Sequence, residues 1–125
     1  MIDRLRIDGE PVPKGRPRFS CIKGRPHVYT DAKTLAAEQE LAWHFRSAHT
    51  GPPVSHPVSL RVAFHVKSNT CDLDNLIKTI LDAANGIVFE DDKQVVQIEA
   101  ELYRGSKTPH TDLTFREIQA MQEAA

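Results

Sequence analysis

Val58, Leu60, Val62, Phe64 and Val66 stand at every second position, with Ser59, Arg61, His65 and Lys67 between them. Side chains alternate between faces along a strand and not along a helix, so this stretch is a half-buried strand with one apolar face. A different period follows at once. From Asp72 onward Leu73, Leu76, Ile77, Ile80, Leu81 and Ala84 recur at the three-and-four spacing of one helical face, and Asn85-Gly86 supply a left-handed turn to end it.

The rest of the chain is read around this strand-to-helix unit. Leu5 and Ile7 mark a first strand, closed by residues 9–13 with their two prolines. Residues 18–22 and 26–29 form a hairpin about Lys23-Gly24, because glycine supplies the positive φ that such turns need. Thr30 or Asp31 caps a helix that runs to about His49 and stops before Gly51-Pro52-Pro53, with Leu35, Leu41, Trp43 and Phe45 on its buried face. After an acidic turn at residues 90–92, Val96, Ile98, Ala100 and Leu102 alternate again. Leu113 and Phe115 make a last strand, and the tail from Ile118 is a frayed helical turn. This order is neither a regular βαβ repeat nor a meander. We therefore expect an α+β fold, one mixed β-sheet with two helices packed on a face. At 125 residues a single domain over residues 1–125 suffices, burying about two-thirds of its unfolded surface without disulfides.

Several classes are set aside by what the chain lacks. No apolar run approaches the roughly 20 residues that span a bilayer, and the start, with charges alternating around Leu5 and Ile7, is unlike a secretory signal. A cytoplasmic location is the expectation. Cys21 and Cys71 form no CxxC or CxxH pair, which argues against a zinc site and a disulfide framework. The histidines show no HxH or HExxH spacing, and His44 and His49 read as surface residues near a helix end. The net charge of −1 makes no global case for a nucleic-acid partner. Its distribution does: residues 14–25 carry Lys14, Arg16, Arg18, Lys23 and Arg25 and no acid, whereas residues 90–101 carry Glu90, Asp91, Asp92, Glu99 and Glu101.

The chemistry is concentrated in Cys71-Asp72-Leu73-Asp74-Asn75-Leu76-Ile77-Lys78 and, beyond the helix, Glu90-Asp91-Asp92-Lys93-Gln94-Val95. If the strand-to-helix junction is extended, Asp72 and Asp74 point to one side, and converging carboxylates favour a hard divalent cation such as Mg²⁺. Lys78, one turn past Asp74, is placed to neutralise charge on a phosphate, and Asn75 to donate to a phosphate or a ligand carboxylate. A strand beginning near Gln94 and lying beside the one that ends at Lys67 would bring the acidic turn beside Asp72. Each feature also has an ordinary reading: Asp72 or Asp74 as a helix cap, Asp74–Lys78 as a surface ion pair, Asp91-Asp92 as a solvated turn, the basic run as a soluble surface.

Together, Asp72-Leu73-Asp74-Asn75, Lys78, Asp82, Gly86, Asp91-Asp92 and Gln94-Val95, with the opening Pro11-Val12-Pro13-Lys14-Gly15-Arg16-Pro17-Arg18, resemble the RusA-like endodeoxyribonucleases, which resolve Holliday junctions. The resemblance implies that Asp72, Asp74 and Asp92 are metal-binding carboxylates, with Asp91 a further candidate ligand, and that Lys78 is the catalytic lysine. It further implies a homodimer that uses Mg²⁺, or Mn²⁺ in its place, and nicks two strands of a four-way DNA junction symmetrically. Lys14, Arg16, Arg18, Lys23, Arg25 and Asn75 would then contact DNA. Two rivals are a non-catalytic nucleic-acid-binding module and another Mg²⁺-dependent phosphohydrolase acting on a small nucleotide. The second would need a phosphate-cradling loop, and neither a Walker-type nor a GxGxxG pattern is present.

Overall fold

The computed structural model describes residues 1–15 and 18–118, without the side chains of residues 18–20 and 22. Its elements in order are β1 (Ile2–Asp8), β2 (Arg18–Ile22), β3 (Arg25–Tyr29), α1 (Ala32–Ala48), β4 (Val58–His65), α2 (Leu73–Ala84), a 3-10 turn (Asp92–Gln94), β5 (Val95–Tyr103) and β6 (His110–Glu117). Four strands make a mixed sheet in the order β1-β6-β4-β5, antiparallel except for the parallel pair β4·β5. The α+β architecture read from the sequence is the one observed.

The alternation in β4 sets the layering. Val58, Leu60, Val62, Phe64 and Val66 are buried, and with Leu113 and Phe115 of β6 they face α1 and α2. The amphipathic stripe of α2 closes the core through Leu76, Ile80, Ala83 and Ala84. Phe115 lies at its centre, with Phe45 of α1 and Phe89 of the loop after α2 edge-on to it at 5.8 and 5.9 Å. Each such ring contributes roughly 1.5–3 kcal/mol by leaving water.

Helix α1 corrects one expectation. Phe45 is fully buried and Leu41 partly so, but Leu35 is 46% and Trp43 62% exposed. At about 100° per residue, Thr34, Leu41, Ala42 and Phe45 share a stripe, and Trp43, two residues from Phe45, falls almost opposite. Asp31 caps this helix by accepting the Thr34 N–H at 2.7 Å. At the other end His49, where the helix is expected to stop, is the capping residue, its N–H donating to the Phe45 carbonyl.

Strands β2 and β3 form a separate two-stranded hairpin in which every β3 residue is exposed. Its turn residues, Lys23 (φ 53°) and Gly24 (φ 76°), both take the left-handed conformation of a tight hairpin turn. Gly86, at φ 80°, does the same after α2. Of the expected C-terminal helical turn, Ile118 is outside any helix, and residues 119–125 lie outside the described residues. Among the described residues no helix is long and apolar enough to cross a membrane.

Candidate active site

The segment that leads into α2 is held at both ends by side chains from distant parts of the chain. The Glu10 carboxylate accepts the N–H groups of Lys67 (2.8 Å) and Ser68 (3.1 Å), and Arg104 Nη2 donates to the Cys71 carbonyl at 2.9 Å. Asp72 is thereby delivered in extended conformation (φ −98°, ψ 138°), and Asp74 follows in the first helical turn. Asp72 occupies the capping position, yet its side chain makes no capping hydrogen bond. Asp74 Oδ1 accepts the N–H of its neighbour Asn75 at 2.9 Å. Both carboxylates face solvent, where the partial positive charge of the α2 N-terminus offsets part of their repulsion. The Asn75 carbonyl accepts from the Lys14 N–H (2.8 Å) and the Thr79 hydroxyl (3.2 Å).

Lys78 does not pair with Asp74. Its ammonium lies 3.0 Å from Asp82, one turn further on, and 3.9 Å from Asp92. The other oxygen of Asp82 holds Lys14 at 3.0 Å, and Lys14 also reaches Glu38 of α1 at 2.6 Å. Charges therefore alternate along Glu38, Lys14, Asp82, Lys78 and Asp92. Burial on its own would lower the Lys14 pKa, but the hydrogen bonds to Glu38 and Asp82 outweigh it and raise the group above its ordinary 10.5. Lys14, expected to track phosphate, is instead a tie between the two helices. Gly15 beside it packs closely, since a Cβ there would run into the Asp31 carboxylate.

The acidic turn is built with similar care. Phe89 anchors it in the core, while Gln94 Nε2 donates to the carbonyls of Val54 (2.8 Å) and His56 (2.9 Å). Gln94 Oε1 accepts the Asp91 N–H at 2.9 Å, and the Asp91 carboxylate in turn accepts the Lys93 N–H at 3.1 Å, a reciprocal capping box. That backbone N–H, and next the neighbouring Asp92 carboxyl, hold Asp91 below the ordinary carboxylate pKa. Asp91 is thus the residue spent on capping, and Asp92 is the one turned toward Lys78.

β5 does lie beside β4, as expected, but parallel to it, with Val95 opposite Val58. The acidic turn consequently sits at the start of β4, whereas Asp72 follows its end. Asp74 precedes Lys78 by one turn, and the Lys78 ammonium reaches forward to Asp82 and Asp92, not back to Asp74. Among the described residues the one trio of His, Cys, Asp or Glu with ligand atoms within 4.8 Å of one another is His65, His110 and Asp112; Asp72, Asp74 and Asp92 form no such group within this chain. The donor set at α2 nonetheless suits Mg²⁺, a cation of hard oxygen ligands: two solvent-facing carboxylates, with that of Asp72 making no capping bond and that of Asp74 using one oxygen for the Asn75 N–H.

Of the basic residues, Lys23 and Arg25 are exposed at the hairpin turn. Arg16 and the side chain of Arg18 lie outside the described residues. Glu10, Glu38 and Arg104 carried no local sequence signal, because each acts on a partner 24 to 58 residues away. In comparisons with known proteins, the family model described as endodeoxyribonuclease RusA matches residues 8–116, most of the chain. The chain is also 27% identical over 139 aligned residues to the uncharacterized protein YqaN of Bacillus subtilis (strain 168), covering 94% of this chain and 97% of that protein.

Proposed function

The chain belongs to the RusA endodeoxyribonuclease family, and from that premise we propose that it is an Mg²⁺-dependent endonuclease, with Mn²⁺ as a substitute, that resolves four-way DNA junctions as a homodimer. The observation that carries the reading is the exposed pair Asp72 and Asp74 at the head of α2, with the Asp72 carboxylate free of the capping bond its position invites. These two hold the ion. A divalent ion held by them would supply polarisation of the scissile phosphodiester and a lowered pKa for the attacking water.

Carboxylates that would share one divalent ion need ligand atoms within about 4 Å of one another. Asp72, Asp74 and Asp92 form no such group among the described residues of one chain, which supports a third carboxylate supplied by Asp92 of a second copy. A C₂ pair makes two such centres at once, and two related centres match two symmetric nicks. Lys78 lies one turn from Asp74 and 3.9 Å from Asp92, between the two acid groups. From there its ammonium offsets charge gathering on the phosphate in the transition state. Lys23 and Arg25 on the projecting hairpin meet the backbone of a duplex arm and position it without reading sequence.

The test is cleavage of a synthetic mobile junction with Mg²⁺. Asp74→Asn abolishes nicking and keeps junction binding; an Asn variant cutting at the parental rate removes the carboxylate pair from the reaction.

A further inference from the structure

The sheet face turned away from the helices carries a second cluster. His65 of β4 and His110 of β6 are direct partners in the antiparallel register, and Asp112 lies two residues beyond His110 on the same face. One ligand atom from each falls within 4.8 Å of the others. All three leave a rigid, fully paired piece of backbone.

The hydrogen bonding of His110 is informative. Its Nδ1 lies 2.6 Å from the Thr108 carbonyl, which only accepts, so Nδ1 carries the proton. In the neutral ring Nε2 is left with its lone pair, 3.1 Å from Asp112 Oδ2. Two lone pairs face each other there, an arrangement that a shared cation or a second proton relieves. An imidazole fixed through one nitrogen by a backbone carbonyl, with the other presented beside a carboxylate, has the support typical of a metal-ligating histidine. Arg6, opposite Asp112 on β1, directs its guanidinium to Asp8 at 2.9 Å and leaves Asp112 to the cluster.

His65 completes the set by a rotation. Its ring is stacked between Tyr103 (4.7 Å) and His110 (4.2 Å, 10° between planes). A ring nitrogen donates in the plane of its ring, so parallel rings do not share an ion until His65 turns out of the stack. Its partial exposure and lack of a hydrogen bond to any described residue permit the turn.

We propose that His65, His110 and Asp112 form a second cation site, selective for a borderline transition ion such as Zn²⁺ over Mg²⁺. Two imidazole nitrogens and one carboxylate, with the fourth tetrahedral position open to solvent, suit Zn²⁺, whereas Mg²⁺ prefers octahedral oxygen. The site is independent of the nuclease reading.

The test is calorimetric titration of the full-length, demetallated protein with Zn²⁺ in excess Mg²⁺, followed by the visible spectrum of the Co²⁺ form. Parent and Asp74→Asn bind Zn²⁺ alike and give a tetrahedral Co²⁺ spectrum without a thiolate band. His65→Ala, which removes a partly exposed ring and keeps the fold by circular dichroism, and His110→Ala lose the site; Asp112→Asn weakens it about tenfold or more. Undiminished binding in folded His65→Ala, a loss caused by Cys21→Ser, or no Mg²⁺-resistant binding in the parent would each overturn the proposal.

Discussion

Replacing Gln94 by Ala tests how the acidic turn is held. The side chain makes three hydrogen bonds: two from Nε2 to the Val54 and His56 carbonyls and one from the Asp91 N–H to Oε1. Each contributes about 0.5–1.5 kcal/mol net. The low end applies to the two that are exposed, and Val54 O retains the Glu90 N–H at 3.2 Å. The expected loss is therefore about 2 kcal/mol, or roughly 6–10 °C in Tm for a domain of this size. Urea denaturation with an unchanged m-value measures it. Gln94→Glu keeps the acceptor for Asp91 but sets a carboxylate oxygen against the two carbonyls that Nε2 served, so it loses at least as much as Ala. A Gln94→Ala loss below about 0.5 kcal/mol would mean that burial of Phe89 alone fixes the turn.

Phe45→Ala costs about 3–5 kcal/mol by leaving a cavity, whereas Trp43→Ala, two residues away and mostly exposed, stays within about 0.5 kcal/mol; equal losses in urea midpoints would refute the stripe assigned to α1. Lys14→Met costs about 1–2 kcal/mol at neutral pH by leaving Asp82 and Glu38 without their shared cation. Because the folded pKa of Lys14 is raised, its contribution is fully present below 10.5 and is lost as pH rises through the folded value. The parent–variant gap therefore narrows only in strongly alkaline urea titrations, and a gap that closes near pH 8 contradicts the tie. Lys23→Ala combined with Arg25→Ala flattens the salt dependence of junction binding by about 0.9 in log–log slope per lost phosphate contact, read by fluorescence anisotropy; an unchanged slope takes the hairpin off the DNA.

The elements with a clean period are legible in the sequence: β4 from its strict alternation, α2 from its stripe and Gly86, the hairpin from Lys23-Gly24. Helix α1 was legible as a helix and not in its face, because Leu35 and Trp43 are apolar residues on an exposed side and the stripe includes Thr34. The acids at the head of α2 and the acidic turn were recognisable by type and spacing. Their separation was not, since it depends on β5 running parallel to β4, a direction that no local pattern encodes. Lys14 looked like one more member of a basic run until its partners Glu38 and Asp82 were brought to it by the packing of α1 on α2. His65 and His110 show the same limit: they are paired by strand register alone, and a search for closely spaced histidines passes over them.

The proposed metal centre would draw Asp72 and Asp74 from one copy and Asp92 from another. Mixing purified Asp74→Asn and Asp92→Asn proteins under conditions that allow subunit exchange tests this directly. Each alone is inactive on a four-way junction with Mg²⁺, and the mixture recovers nicking, because half of the centres in a mixed dimer then hold all three carboxylates. A mixture that binds the junction and exchanges subunits but cuts no better than either variant would contradict it.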